Sequence, residues 1–371
     1  MKLPVKAGRR FAFRHHRKIN GVPAAAAAAA AAAVMATNGA HAQQASAVVL
    51  YGLLDTGVEY ISHAGADGGV FRMSSGNLAG SRWGLRGKED LGGGLSAVFV
   101  LESGYNSDSG TSGQGGRLFG RQAHVGLQGR WGAITLGRQN NTLYDLFVPF
   151  DPTRYASYGV LPQDPHFAGR ADNAIKYTGK FGGMTVTGLY SSGYDATIAN
   201  GSEVAGSFRI GQEMGAGVAY TVGNLSTVLA YHQRRGAAAA TQGNIERRYA
   251  AGLLWSAGPL SAMAGYRFLQ GTIAAPSLRA HLYWAGAAYQ FTPALALRGG
   301  VYRTDRRDSP DDAISYAVSA VYNLSKRSEL YANVSWMDNR GASALSVANA
   351  GPSGGAGADQ TGVVLGVRHV F

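Results

Sequence analysis

The chain has 371 residues, of which only 15% are charged, while glycine numbers 54 and tyrosine 19. Low charge with abundant glycine and aromatics is unusual for a soluble enzyme and suits strands joined by tight turns, with tyrosines at an interface. Cysteine is absent, which excludes disulfides, thiol catalysis and cysteine-ligated zinc or iron–sulfur centres.

Residues 1–42 read as a secretory signal. Lys2, Lys6, Arg9, Arg10, Arg14, Arg17 and Lys18 form a basic front without an acidic residue, an alanine-rich apolar run follows from Val22 to Ala36, and Ala40-His41-Ala42 gives a small-x-small cleavage site. The apolar run falls short of the roughly 20 residues that a spanning helix needs. With that segment removed, 27 Lys and Arg face 22 acidic residues, a net of +5 rather than +12. No concentrated basic face remains, so nucleic acid is not expected as a partner. Residues 43–371 are taken as one domain.

Downstream, no apolar stretch approaches about 18 residues, the length that marks a membrane helix. What recurs is short segments with period-two alternation. In 312–323, Ile314, Tyr316, Val318 and Tyr322 oppose Ser315, Ser319 and Asn323; in 328–338, Leu330, Val334 and Trp336 oppose Glu329, Asn333 and Ser335. Short turns are expected at 89–93, 129–132, 181–183, 223–224, 258–259, 292–293 and 325–327. Longer polar loops are expected at 63–70, 106–116, 140–170, 195–207, 236–245, 271–278, 305–311 and 339–359. Seven short turns and eight long loops imply sixteen antiparallel strands closed into a transmembrane β-barrel, with short periplasmic turns and long external loops. Tyr60, Tyr105, Tyr177, Tyr190, Tyr231, Tyr289, Tyr302 and Tyr322 sit near strand ends, where interfacial belts belong. A secreted β-sandwich or adhesin is the soluble alternative.

Several motifs carry a resemblance. Val48-Val49-Leu50-Tyr51-Gly52-Leu53-Leu54-Asp55, Ser81-Arg82-Trp83-Gly84-Leu85-Arg86-Gly87, Arg121-Gln122-Ala123-His124-Val125-Gly126-Leu127 and Arg170-Ala171-Asp172-Asn173-Ala174-Ile175-Lys176-Tyr177 occur in that order. The chain ends on the aromatic Phe371, with Val367, Leu365 and Val363 sharing its parity. The sequence resembles the general porins of Gram-negative outer membranes, β-proteobacterial type, densely over 48–190 and at the last strand.

The resemblance implies a homotrimeric channel in contact with outer-membrane lipid and lipopolysaccharide, passing small hydrophilic solutes and ions with a mild anion preference. Phe371 would be the C-terminal signal read by the barrel-assembly machinery. The third loop would fold into the lumen, with Asp145 and Asp151 facing Arg82, Arg121 and Arg170 across the constriction, so that acid and base set up a transverse field. Strand parity places Arg82 and Arg86 inward independently, since an arginine facing lipid near mid-membrane costs about 2–4 kcal/mol. Glu102 alternates inward from Leu101 and Phe99. An inward Arg121 would take Ala123, Val125 and Leu127 inward and leave His124 outward.

No phosphate-binding loop and no nucleophile elbow occurs, and the histidines are scattered without metal-ligand spacing. No enzyme activity, cofactor or metal is expected. The rival readings are a porin preferring sugars or carboxylates, an outer-membrane hydrolase and an adhesin.

Overall fold

A computed structural model describes residues 47–371 except 66–67, 199–200, 276 and 308. The expected signal segment, 1–42, lies outside the described residues. The described residues form seventeen antiparallel strand segments. They are β1 (Ala47–Ile61), β2 (Val70–Ser75), β3 (Arg82–Gly92), β4 (Leu95–Gly104), β5 (Gln122–Gly129), β6 (Gly132–Asn140), β7 (Arg170–Phe181), β8 (Met184–Ser191) and β9 (Glu213–Val222). The second half comprises β10 (Leu225–Arg235), β11 (Ile245–Ala257), β12 (Leu260–Gly271), β13 (Leu278–Gln290), β14 (Leu295–Arg306), β15 (Ala313–Asn323), β16 (Ser328–Asn339) and β17 (Gln360–Val370).

From β3 onward each strand pairs with its neighbour in sequence, and β1 closes on β17 from Leu53↔Val370 to Ile61↔Gly362. Closure leaves no sheet edge, which is what a hydrocarbon environment demands of backbone N–H and C=O groups. The seam ends on Phe371, whose N–H donates to the Gly52 carbonyl (3.0 Å) while its own carbonyl accepts from Gly52 (3.1 Å). The Phe371 ring lies where a side chain on residue 52 would stand.

The barrel has sixteen strand positions because β2 and β3 share one. Both lie on the same side of β1, β2 against its second half and β3 against its first. The sequence reading had a single strand there. The interruption at 76–81 frees three consecutive backbone N–H groups, and the buried carboxylate of Asp55 accepts all three, from Asn77 (3.2 Å), Leu78 (2.8 Å) and Ala79 (2.8 Å). Tyr331 donates a fourth hydrogen bond at 2.6 Å. Gly76 supplies the left-handed φ of 75° with which the strand breaks.

Alternation sets the two faces. Leu229, Leu253, Val318, Val334 and Leu365 stay 48–60% exposed on the outside, while Ser315, Ser319, Asn333 and Ser335 are buried inside. Two of the tyrosines assigned above to belts are not there. Tyr302 is fully buried and Tyr105 is half-buried with its hydroxyl on the Leu53 carbonyl, so both face inward.

Candidate pore constriction

The connection from β6 to β7, residues 141–169, folds inward and packs on the wall. Its first turn is a short helix, α1 (Thr142–Phe147), capped by the Asn141 side chain, which accepts from the Tyr144 N–H. The apolar side of the loop supplies Leu143, Leu146, Phe147, Phe150 and Phe167 to a buried cluster with Trp284. Trp284 Nε1 also donates to the Phe150 carbonyl (2.8 Å). The wall is hollowed to receive the loop: Cβ atoms at Gly286 and Gly300 would fall 2.5 and 2.9 Å from the Pro152 ring.

Two loop carboxylates fasten it. Asp151, 1% exposed, accepts from the Tyr302 hydroxyl (2.7 Å), Thr153 Oγ1 (2.8 Å) and the Tyr155 N–H (2.6 Å). Burial pushes the Asp151 carboxyl up from the usual carboxylate range, against the pull of these donors. Asp164 accepts from Arg248 Nε at 2.9 Å and is ion-paired with Arg267, whose Nε also lies 2.9 Å away. Burial alone would raise its pKa, but the two guanidiniums hold it well below the ordinary value. Beside it, His166 Nδ1 lies 2.9 Å from Arg248 Nη2, so its ring nitrogen serves as acceptor. Burial and the Arg248 charge lower the His166 pKa to about 4. Sequence reading missed Asp164, Arg248 and Arg267; the one available signal was inward parity of the two arginines on β11 and β12.

Across the lumen the arrangement is different. Arg82 at the start of β3, Arg121 just before β5, Arg170 at the start of β7 and Arg154 from the loop line one recess of about 350 Å³. Tyr105, Tyr144, Tyr155, Asn106 and Gln114 complete its walls, together with the backbone of the broken strand at 75–82. Arg170 lies over the Tyr144 ring at 5.9 Å. Glu102 is the acidic residue nearest the group; it is 4% exposed, bonded to Arg121 Nε at 2.7 Å and to the Tyr51 hydroxyl at 3.1 Å.

Four sequence expectations change here. Asp151 does not face the pore: its carboxylate is enclosed between loop and wall. Asp145 is turned to the lysine of β7, with Lys176 Nζ 2.6 Å from its Oδ2, and does not line the recess. Among the described residues, neither loop aspartate faces the arginines of the recess. Arg86 stands two inward positions below Arg82, exposed and 5.1 Å over the Tyr51 ring, outside the recess. On β5, Val125 and Leu127 point outward at 57% and 45% exposure, and His124 points inward. Arg121 still reaches the lumen because it precedes the strand and is not bound by its alternation.

Arg154 had no sequence signal. It and Tyr155 adopt left-handed φ values of 57° and 64°, a combination costly for non-glycine residues. The Asp151 contacts to Thr153 and Tyr155 impose it. The turn brings Arg154 to the lining of the recess, where its side chain stays exposed, with no carboxylate within 4.0 Å among the described residues. No group of three potential metal ligands occurs among the described residues.

The sequence profile of a family described as Gram-negative porin matches residues 24–342. Outer membrane porin protein 32 of Delftia acidovorans is 33% identical over 354 residues, covering 91% of this chain and 97% of that protein. An outer membrane porin protein of Bordetella pertussis is 37% identical over 231 residues, 55% of this chain and 58% of that one. Among solved structures, an anion-selective porin from Comamonas acidovorans superposes with a TM-score of 0.75 at 28% identity, covering 88% of this chain and 100% of that one.

Proposed function

The chain belongs to the Gram-negative porin family and is an outer-membrane porin, and from that premise we propose that it forms a passive diffusion channel with a preference for small anions. The observation that carries the preference is the recess, where Arg82, Arg121, Arg154 and Arg170 converge while Glu102 is already paired to one of them. Charged rings at a narrow section set which ion is admitted. A site with a surplus of guanidiniums lowers the electrostatic cost for an anion leaving bulk water and raises it for a cation. Loop carboxylates that point at the wall do not offset this surplus. The anion selectivity named for the Comamonas protein agrees with it.

Four further assignments belong to the same reading. The functional unit is a homotrimer, residues 1–42 are removed on export, the long loops face outward, and Phe371 is recognised during barrel assembly. Diffusion is the whole of the activity, without catalysis. Liposome efflux of gluconate, glucose and glucosamine, solutes of similar size and different charge, tests the preference. The expected order of rates is gluconate, then glucose, then glucosamine. Equal rates for all three, or glucosamine fastest, would remove the arginine recess from the selectivity mechanism.

A further inference from the structure

The segment between β2 and β3 forms one wall of the arginine recess, through Gly76 and Leu78–Ser81. Two of the recess arginines lie against its residue 80. Arg82 Nε donates to the Gly80 carbonyl (3.0 Å). A Cβ on Gly80 would fall 3.0 Å from Arg121 Nη1, so the missing side chain is what lets that guanidinium lie close to the backbone. The other end of Arg121 is held by Glu102. Two like charges are thereby kept at one short stretch of backbone, against their mutual repulsion.

What fixes that stretch is Asp55. The consecutive N–H groups of residues 77–79 converge on its carboxylate, a nest of backbone donors around an anion. Tyr331 donates to the same carboxylate and its hydroxyl accepts from Asn77 Nδ2 (2.9 Å), so the segment is bolted to β16 as well. At the far end, Ser81 Oγ accepts from the Asp55 N–H and donates to the Asp55 carbonyl, both at 3.0 Å. Asp55 is 0% exposed and these donors are neutral. A buried carboxylate of this kind is tolerated only while its oxygens stay fully hydrogen-bonded, which leaves the segment little freedom. The Asn77 carbonyl in turn accepts from the Ser157 N–H of the constricting loop (2.7 Å). Among the described residues, Asp55 is hydrogen-bonded to neither Arg82 nor Arg121.

We infer that Asp55 is a positioning residue for anion selection: it shapes the broken strand into a template that holds Arg82 and Arg121 side by side at the recess. The inference rests on the reading of the recess as the anion-selective section. An acid is thus required for a preference that its own charge opposes. The two roles have opposite signs, which makes them separable. Were Asp55 only a negative charge beside the lumen, removing it would strengthen the anion preference. As the holder of the template, its removal frees the segment, the two guanidiniums move apart under their repulsion, and the preference weakens. Tyr331 acts in the same way one step further out, as the β16 anchor of both Asp55 and Asn77.

The test is the zero-current potential of the full-length channel in a KCl gradient, measured on variants whose folding is checked by the heat-modifiable gel shift. Asp55→Asn keeps the shape of the side chain, but its amide nitrogen deprives at least one N–H of residues 77–79 of an acceptor. The potential is expected to move from the chloride side towards zero, although a negative charge has been removed. Tyr331→Phe leaves every charge in place and is expected to move it in the same direction by less; it carries the test should Asp55→Asn not fold. Ser335→Ala, which removes an equally buried hydroxyl from the same strand, is expected to match wild type. A potential that is unchanged or moves further towards chloride in Asp55→Asn and Tyr331→Phe overturns the inference. So does an equal shift in Ser335→Ala, which would mark a general loosening of the barrel. A wild-type channel without anion preference would sink the selectivity reading instead. The positioning is then read from single-channel conductance, which is expected to split into sublevels in Asp55→Asn and Tyr331→Phe. A single level in both, as in wild type, overturns it.

Discussion

Against the wall of β11–β14 the constricting loop closes its charges off, with Asp164 between Arg248 and Arg267 and Asp151 under Tyr302, whereas the wall from β2 to β7 leaves Arg82, Arg121 and Arg170 facing a common recess with the loop's own Arg154. The same loop supplies both arrangements. Its acids serve attachment and its arginine serves the lumen, so attachment and selectivity are separable by mutation. A loop with its carboxylates in the pore would couple the two.

The largest effect is expected on the attachment side. Asp164→Ala leaves two buried guanidiniums without their shared partner, and breaking a buried pair costs about 3–5 kcal/mol. Thermal unfolding followed by the heat-modifiable gel shift is expected to move down, and single-channel currents to become noisy as the loop leaves its seat. Unchanged stability would show that the Phe147–Phe167–Trp284 packing holds the loop alone. On the recess side, Arg154→Glu is expected to leave stability near wild type and to lower anion-over-cation permeability, since it reverses a charge without a carboxylate partner at a narrow section of the channel. A fall in stability without a change in permeability would reverse the proposed division of labour.

Acid offers a third test. His166, facing Arg248, Asp164, Arg234 and the His232 ring 6.2 Å away, is held neutral in the folded loop, with its pKa lowered to about 4. A depressed histidine pKa favours folding above the ordinary value of about 6.5, and that contribution is lost as pH falls towards the folded value. Loop closures in bilayer recordings are therefore expected to rise as pH drops from about 6.5 to about 4, and His166→Gln is expected to flatten the dependence. The smallest change is expected from Asp145→Asn, which releases the Lys176 ammonium and shifts permeability slightly further towards anions. A clear shift towards cations would mean that Asp145 is not facing the lysine.

Much of the fold was readable because a barrel in lipid is built on two periodicities. Alternation fixed the faces of 312–323 and 328–338, and glycine-rich turns fixed the short connections. The break between β2 and β3 was not readable, since Asp55 is compensated by three backbone donors more than twenty residues away, and no local pattern reports that. The basic half of the constriction was legible from motif positions and, for Arg82, from parity. The acidic half was not. Aspartates at 145 and 151 look alike in sequence, but one meets Lys176 and the other is enclosed under Tyr302, and both outcomes depend on which wall the loop packs against. Arg154 was hidden for a related reason: it reaches the lining of the recess only through a left-handed turn that Asp151 imposes from inside.

The zero-current potential of the wild-type channel across a KCl gradient in a planar bilayer tests the central claim most directly. A one-signed arginine recess is expected to drive that potential towards the chloride equilibrium value, and Arg82→Glu together with Arg154→Glu is expected to bring it back through zero. A wild-type potential at zero or towards the potassium value would contradict the assignment of this recess as the selectivity-determining constriction.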